Sequence, residues 1–268
     1  MLGRPPRKVA KLSADERRRS IIESIARLGG VSVMTLAQEY GVTSQTIRRD
    51  LQELGSRGLI QKGHGVALPG PGSTAIAYTE RNAHQTALKR RLMAPLAEFI
   101  KPGHAIYVGL GTTFNSIHEV LRERSRLIVA TSNLGVAYSC TFNTGVTLYV
   151  FGGYVRRNDT AILAATGGGL GSTLKFDLAI LGANAIDEEG AVLAHDPLEV
   201  EFTQQVIATS RQVIFVVQAD KFGGRAPHVV SHLRHASALI TNCDPSSKLN
   251  DPTVLNATRV VQVESSGA

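Results

Sequence analysis

The sequence has 268 residues, and its 43% hydrophobic content can fill the cores of one small and one medium globular domain. No apolar run approaches the ~18 residues of a membrane span, and the first residues lack the apolar stretch of a signal peptide, so we expect a cytoplasmic protein. Its two cysteines, Cys140 and Cys243, have no metal-ligand spacing and form no disulfide framework, which fits a reducing compartment.

The charge is unevenly distributed along the chain. Residues 1–68 hold 12 Lys and Arg against 6 Asp and Glu, whereas the remaining residues hold 17 against 16. An excess of positive charge confined to one small part favours contact with an anionic polymer such as a nucleic acid. We therefore expect nucleic-acid binding in the first part and an ordinary globular domain in the second.

Residues 1–12 contain four basic side chains, two prolines and no periodicity, which predicts a mobile basic arm. Ser13 and Glu16 have the spacing of a capping box, which predicts the start of a helix with one apolar stripe. Arg17, Arg18 and Arg19 fall in the first turns of this helix. The sequence leaves open whether they contact phosphates or are simply solvated.

The stretch 43–51, TSQTIRRDL, predicts a capped helix that follows a shorter helix and a turn at Gly41. Its apolar residues recur at helical spacing, whereas the opposite face carries residue types that hydrogen-bond base edges and phosphates. Two adjacent arginines alone are more typical of a solvated helix face, so the interpretation depends on the neighbouring sequence. The predicted DNA contacts on this helix are Ser44, Gln45, Thr46, Arg48 and Arg49.

The neighbouring sequence predicts a winged helix-turn-helix. Residues 56–70 form two short apolar runs around Lys62-Gly63-His64-Gly65, which predicts a β-hairpin wing. Lys62 and His64 are predicted to hold this wing against the DNA backbone. Here the sequence resembles the DeoR family of bacterial transcriptional regulators, whose recognition helix has the form TIRRDL and whose wing ends in His-Gly-Gly. In this chain the last glycine of that motif is Val66.

Residues 69–74 are rich in Pro and Gly and predict a linker. We therefore divide the chain into the arm 1–12, a winged helix-turn-helix domain 13–68, the linker, and an effector-binding and oligomerisation domain 75–268. In the last domain six strand-like runs alternate with segments of helix length, which predicts an α/β domain with a largely parallel sheet. Ligands of such sheets bind beyond the carboxyl ends of the strands.

A Gly-Leu-Gly-Thr-Thr turn at residues 109–113 follows the strand-like run HAIYV. It presents backbone N–H groups and two hydroxyls at a helix start, as phosphate sites do, although such turns also open helices for purely structural reasons. The order and spacing of this and later turns are similar to the second domain of DeoR regulators. The resemblance covers about residues 14–242.

The resemblance implies a fold shared with ribose-5-phosphate isomerase and CoA transferases, and a domain that binds phosphorylated sugars or related metabolites. Because palindromic operators match two-fold symmetric proteins, we also expect a homodimer or homotetramer. The implied effector-binding residues are Gly109, Gly111, Thr112, Thr113, Thr131, Asn133, Gly152, Gly153 and Lys221.

Three positions depart from the family pattern. The family has an Asp shortly before the Gly-Thr-Thr loop, where this chain has residues 108–110, Val-Gly-Leu. It has a Lys after the fourth loop, where this chain has Thr203 and Gln204, and an Asp where this chain has Gln218. Loss of a cation removes a favourable charge pair for an anionic ligand. The sequence leaves open whether the pocket still takes a phosphate ester.

The leading interpretation is a repressor of a carbohydrate or related operon, which binds double-stranded operator DNA and is released by a phosphorylated sugar-like effector. It requires no catalytic residue, metal, cofactor or membrane. One alternative is a sugar-phosphate isomerase-like enzyme fused to a DNA-binding domain, whose candidate catalytic carboxylates are Asp187, Glu188, Glu199 and Glu201. Another is a regulator that binds DNA without any small ligand.

Overall fold

A computed structural model describes residues 13–28, 31–57, 59–62, 66–69, 86–156, 159–163 and 174–264. The contacts within the chain divide it into two units, residues 1–83 and residues 84–268. The predicted arm, the wing turn that contains His64 and the predicted linker after Pro69 lie outside the described residues. In the part of the chain that is described, no helix is long and apolar enough to cross a membrane.

The first unit contains three helices and a three-stranded antiparallel sheet. Strand β3 lies between β1 and β2 and pairs with both, so the predicted wing hairpin is confirmed. Sequence analysis does not predict β1, because a strand of two residues has no periodicity. The elements are α1 (Ala14–Leu28), β1 (Val31–Ser32), α2 (Val33–Glu39), α3 (Ser44–Ser56), β2 (Ile60–Lys62) and β3 (Val66–Pro69).

The predicted capping box opens α1. The Ser13 N–H donates to Glu16 Oε2 at 2.9 Å, and the Glu16 N–H donates to Ser13 Oγ at 3.3 Å. The Ser13 hydroxyl, which donates to Glu16 Oε2 at 2.7 Å, and the Ser13 N–H together lower the pKa of the Glu16 carboxyl. The apolar stripe of α1 then packs on α2, α3 and the wing in one small core. Its fully buried members include Ile21, Ile25, Leu36 and Ile47.

The second unit starts with a helix that changes type at a proline. Helix α4 spans Thr86–Met93, and a 3-10 helix at Ala94–Glu98 continues it with Pro95 in its first turn. The other helices are α5 (Ile117–Leu121), α6 (Leu134–Cys140) and α7 (Pro197–Ala208). The strands are β4 (Ala105–Val108), β5 (Leu127–Thr131), β6 (Val146–Val150), β7 (Tyr154–Arg156), β8 (Ala161–Leu163), β9 (Phe176–Leu181), β10 (Ala185–Ile186), β11 (Ala191–Ala194), β12 (Ser210–Val217), β13 (His228–His232), β14 (Ala238–Thr241) and β15 (Arg259–Gln262).

Seven of these strands form one parallel sheet in the order β15-β14-β12-β9-β4-β5-β6. This confirms the predicted α/β class with a parallel sheet. The chain runs outward from β4 through β5 to β6 and later returns on the other side of β4 as β9. The order therefore reverses between β4 and β9, and such a switch point opens a crevice at the carboxyl ends of the strands.

The large sheet is covered on both faces. Residues of α4, α5 and α6 pack on one face with alternate strand residues such as Ile106 and Val108. The opposite face buries Tyr107 and Phe215 under α7 and a small antiparallel sheet of β10, β11 and β13. Strands β7 and β8 form a separate hairpin. With both faces buried, the open rim at the carboxyl ends is the place where polar loops reach solvent.

Candidate functional site

Helix α3 is fixed by its cap and its buried face. Thr43, with extended backbone angles, precedes the helix, and its Oγ1 accepts a hydrogen bond from the Thr46 N–H at 3.2 Å. Ile47, Leu51 and Leu54 are buried in the small core. The sequence allows either Thr43 or Ser44 as the cap, and the structure assigns it to Thr43.

The opposite face of α3 carries the residues predicted to contact DNA. Gln45, Arg48, Arg49 and Gln52 are exposed, and Ser44 and Thr46 are partly exposed. Within the described part of the chain, neither Arg48 nor Arg49 pairs with a carboxylate. Both guanidinium groups are therefore available to base edges or phosphates. Lys62 lies on β2 in register with Ala67 of the wing.

One acidic residue of α3, Asp50, points to its buried side. Its Oδ2 accepts a hydrogen bond from Arg17 Nε at 2.7 Å, and its Oδ1 accepts one from Arg18 Nε at 3.0 Å. The carboxylate thus ties α1 to α3 through two ion pairs. From the sequence we expect only phosphate contact or solvation for Arg17 and Arg18, and pairing with a buried carboxylate is a third role.

In the second unit, the predicted phosphate loop follows β4 and lies at the switch point of the sheet. The Gly109 N–H donates to the Ile180 carbonyl of β9 at 2.8 Å, and a Cβ at position 109 would stand 3.2 Å from that oxygen. Gly111 has φ of +114°, in the region that favours glycine, and a 3-10 helix then starts at Thr112. The two glycines bring the backbone close to β9 and turn it into the helix start.

A buried lysine reaches this loop from α4. Lys89 is only 7% exposed, and its Nζ donates a hydrogen bond to Thr112 Oγ1 at 3.0 Å. The sequence pattern does not single out Lys89, because this residue begins a basic Lys-Arg-Arg run that is typical of a solvated face. The signal was its position: Lys89 interrupts the apolar stripe that Leu92 and Met93 continue at helical spacing.

Thr131 and Asn133 connect the loop after β5 to the phosphate loop. Thr131 Oγ1 donates to the Val108 carbonyl at 2.7 Å, and Asn133 Nδ2 donates to the Gly111 carbonyl at 3.0 Å. Asn133 Oδ1 also accepts hydrogen bonds from the first N–H groups of α6. Both side chains are buried. The structure therefore directs their hydrogen bonds to the loop itself, which they hold in place.

The remaining predicted residues follow other strands at the same rim. Thr113 continues the phosphate loop, Gly152 and Gly153 follow β6 and are exposed, and Lys221 lies in the 3-10 helix after β12. Lys221 Nζ lies 3.0 Å from Asp220 Oδ2, and both side chains are solvent-accessible. The structure brings Gly109, Gly111 and Thr112 together with Thr131 and Asn133. It places Gly152, Gly153 and Lys221 along the same edge.

Three carboxylates surround one arginine in the second unit. Arg156 of β7 pairs with Asp159 at 2.6 Å, Asp196 at 2.7 Å and Glu199 at 2.9 Å. Burial acts to lower the pKa of Arg156, but its hydrogen bond and charge pair with Asp159, reinforced by Glu199, raise it. Burial raises the pKa of Glu199, although Arg156 opposes the shift. This cluster joins the β7–β8 hairpin to the start of α7.

Both units of the chain match models of known protein families. Residues 17–68 match the DeoR-like helix-turn-helix domain, and residues 84–243 match the DeoR C terminal sensor domain. The chain belongs to the DeoR family of bacterial transcriptional regulators. The resemblance inferred from TIRRDL and the Gly-Thr-Thr loop is thereby confirmed.

Among its DeoR-family relatives is the glycerol-3-phosphate regulon repressor of Escherichia coli K12, 33% identical over 86% of this chain and 91% of that protein. A putative aga operon transcriptional repressor of Escherichia coli O157:H7 is 29% identical over 85% and 86%. Among solved structures, a ribose-5-phosphate isomerase bound to phospho-erythronic acid matches with TM-score 0.38 and 14% identity, over 51% of this chain and 53% of that one.

Asp187 and Glu199, two candidate catalytic carboxylates, make structural contacts in this domain. Asp187 Oδ1 accepts hydrogen bonds from the Glu189 N–H at 3.1 Å and the Ala191 N–H at 2.8 Å, which closes the turn between β10 and β11. Glu199 pairs with Arg156. Across the described ranges, no group of three or more His, Cys, Asp or Glu side chains is arranged to hold a metal ion.

Proposed function

We propose that this DeoR-family chain is a cytoplasmic repressor that binds operator DNA through α3 and is released when a phosphorylated sugar or related metabolite binds the loop after β4. The relatives named above are repressors, one of a glycerol-3-phosphate regulon and one of the aga operon, which supports control of a carbohydrate operon. The observation that carries the effector assignment is the buried ammonium group of Lys89 against the Thr112 hydroxyl.

On the DNA side, α3 lies in the major groove in this proposal. Gln45 and Thr46 read base edges with Ser44 beside them, and the exposed pair Arg48 and Arg49 divides base and phosphate contacts. Lys62 and His64 bring the wing onto the adjacent backbone. Because these contacts neutralise phosphates, operator affinity falls steeply as the salt concentration rises.

On the effector side, the phosphoryl group binds at the start of the 3-10 helix, against the N–H groups and hydroxyls of Thr112 and Thr113. Lys89 supplies positive charge from behind the loop, and a phosphate oxygen can accept a charge-assisted hydrogen bond from its ammonium group. Thr131 and Asn133 hold the loop, and the rest of the ligand extends along the rim towards Lys221, Gly152 and Gly153.

The cation that the family supplies after the fourth loop is absent at Thr203 and Gln204. Lys89 makes a phosphate site possible without it. Release follows by linkage, provided that the effector binds the free repressor more tightly than the DNA-bound one. The effector must then weaken operator binding by the same factor as the operator weakens effector binding.

A thermal-shift experiment on the full chain tests the effector site. Glycerol 3-phosphate, hexose 6-phosphates and inorganic phosphate are compared with the unphosphorylated sugars at millimolar concentrations. A ligand at about 100 times its Kd stabilises the folded state by about 2.7 kcal/mol, so we expect a clear rise in Tm with one phosphate ester. We expect Lys89→Met and Thr112→Ala to lose this rise.

Arg90→Met provides the matched control, because Arg90 is the exposed neighbour of Lys89 on α4 and its variant should keep the shift. A shift that survives in both Lys89→Met and Thr112→Ala would place the ligand elsewhere. If no phosphate ester shifts the wild-type Tm, a regulator without a phosphorylated ligand replaces the proposal.

We propose no catalytic activity for this domain, because Asp187 closes a turn and Glu199 is paired with Arg156. The competing enzyme requires a positioned general base. Conversion of a sugar phosphate by the full chain, lost in Glu199→Gln, would support the enzyme instead.

We also propose that the repressor is a homo-oligomer, assembled through a face that carries the exposed aromatic residues Tyr138 and Phe142. Residues 127–155 contain no Asp, Glu, Lys, Arg or His. Tyr138 is 71% and Phe142 74% exposed, and their rings are in edge contact at 5.4 Å. A stretch of chain without charge can face its own copy without like-charge repulsion between its own residues, and exposed aromatic residues are typical of interfaces. Nearby, β6 is an edge strand of the sheet.

Sedimentation of the double variant Tyr138→Glu, Phe142→Glu tests this assignment. We expect the wild type to sediment as a dimer or larger and the variant as a monomer, because four like charges would meet across a two-fold axis. Val229→Glu places a charge on an equally apolar, 56% exposed residue of β13 and should leave the assembly intact. A double variant that assembles like the wild type excludes this face.

A further inference from the structure

The ion pairs of Asp50 join α1 to α3, the helix that is proposed to read DNA. The Asp50 side chain is 3% exposed, and the side chains of Arg17 and Arg18 are 11% and 27% exposed. Both contacts are hydrogen bonds from Nε, at 2.7 Å and 3.0 Å. Arg18 additionally contacts Asp15 at 3.3 Å, whereas Arg17 pairs with Asp50 of α3. One buried carboxylate therefore orients two long cationic side chains.

The same helix displays two further arginines with the opposite arrangement. Arg48 and Arg49 immediately precede Asp50, are exposed, and have no carboxylate partner among the residues that the structure describes. The first unit thus contains one pair of arginines free for DNA and another pair held by Asp50. A free arginine near a duplex adds a phosphate contact that is the same for every sequence.

Resting on the proposed function of α3, we propose that Asp50 is a specificity-determining positioning residue. It fixes α3 against α1 and withholds Arg17 and Arg18 from the phosphate backbone. Fewer cations then contact phosphates, so the affinity for non-specific DNA is lower. The contacts of α3 with the bases of the operator are unchanged. Discrimination between the operator and other DNA is the ratio of the two affinities, so withholding non-specific contacts increases it.

Binding to two duplexes over a range of salt concentrations tests the role of Asp50. One duplex is enriched by the wild-type full chain from a random-sequence pool, and the other is a scrambled duplex of equal length. In Asp50→Asn, we expect tighter binding to the scrambled duplex and a salt slope that is steeper by up to ~1.8, since each phosphate contact adds ~0.9. Discrimination between the duplexes should fall about tenfold or more.

Two further variants separate this role from a merely structural one. Arg17→Gln, Arg18→Gln in the Asp50→Asn background should return the slope to the wild-type value, because the freed cations are gone. The same two arginine changes with Asp50 intact should leave the wild-type slope unchanged, because those side chains do not touch DNA there. Thermal unfolding of each variant shows whether it is folded.

A purely structural Asp50 predicts weaker binding of Asp50→Asn to both duplexes with an unchanged or shallower slope, and that result overturns the inference. A slope reduced by ~1.8 in the arginine double variant also overturns it, since Arg17 and Arg18 would then contact phosphates already. If the wild type enriches no sequence from the pool, the proposed function itself fails.

Discussion

Replacing Arg48 and Arg49 together by Ala is expected to lower operator affinity about 100-fold or more, without a change in Tm. Each good bidentate contact to a base contributes ~1–3 kcal/mol of discrimination, and loss of phosphate contacts adds to this. Because both side chains are exposed and unpaired among the described residues, their removal leaves no buried group unsatisfied. Fluorescence anisotropy with the duplex enriched by the wild type measures the loss.

The control for this experiment removes the same number of positive charges from the second unit. Arg122→Ala, Arg211→Ala changes two exposed arginines there and should bind within about twofold of the wild type at physiological salt. A double Arg48, Arg49 variant that binds as tightly as this control would exclude α3 as the reading helix.

Arg156→Ala is expected to lower the free energy of unfolding of the second unit by about 3–5 kcal/mol. The change leaves Asp159, Asp196 and Glu199 close together without their cation, and Arg156 itself is only 19% exposed. Removing one partner of a largely buried ion cluster lowers the free energy of unfolding by more than the intact cluster contributes to it. The reason is that the remaining charges stay desolvated without a partner. Urea denaturation at pH 7 gives the value.

An exposed ion pair of the same type provides the comparison. Arg57→Ala removes the partner of Glu53 on the surface of α3 and should cost no more than about 1 kcal/mol. Adding Glu199→Gln to Arg156→Ala should recover part of the loss, because one of the repelling carboxylates is then neutral. If Arg156→Ala lowers the free energy of unfolding as little as Arg57→Ala does, the Arg156 cluster is hydrated and unimportant for stability.

The destabilisation caused by Arg156→Ala should depend on pH through the carboxyl group of Glu199. Burial raises the pKa of Glu199 in the folded protein above its unfolded value, so the folded state binds that proton more tightly. The associated stability is present at low pH and is lost as the pH rises through the folded pKa. Without Arg156 that pKa rises further, so the destabilisation by Arg156→Ala should be smaller at pH 5 than at pH 7.

The features that sequence analysis predicts correctly are local ones. The Ser13 capping box and the buried stripe of α3 each depend on residues within a few positions of one another, and the structure confirms them. The wing hairpin and the parallel sheet follow from similarly short patterns. The Gly-Thr-Thr loop is found at the switch point because its strand ends there.

The features that it misses depend on side chains that are distant in sequence. Lys89 meets Thr112 across 23 residues, and Arg156 meets Glu199 across 43. The run around Arg156 does not distinguish it from a solvated surface group, and the local signal at Lys89 is only the apolar stripe that it interrupts, because the packing that buries both cations is tertiary. Asp50 and its two arginines are hidden for the same reason. The short strands β1 and β10 have too few residues for any period.

Asn133 joins three parts of the second unit through one residue. Its Nδ2 holds the Gly111 carbonyl, its Oδ1 holds the first turn of α6, and its backbone forms a bridge with Ala161 of β8. A shift of the loop at Gly111 would therefore strain or break hydrogen bonds of the residue that also caps α6 and contacts β8.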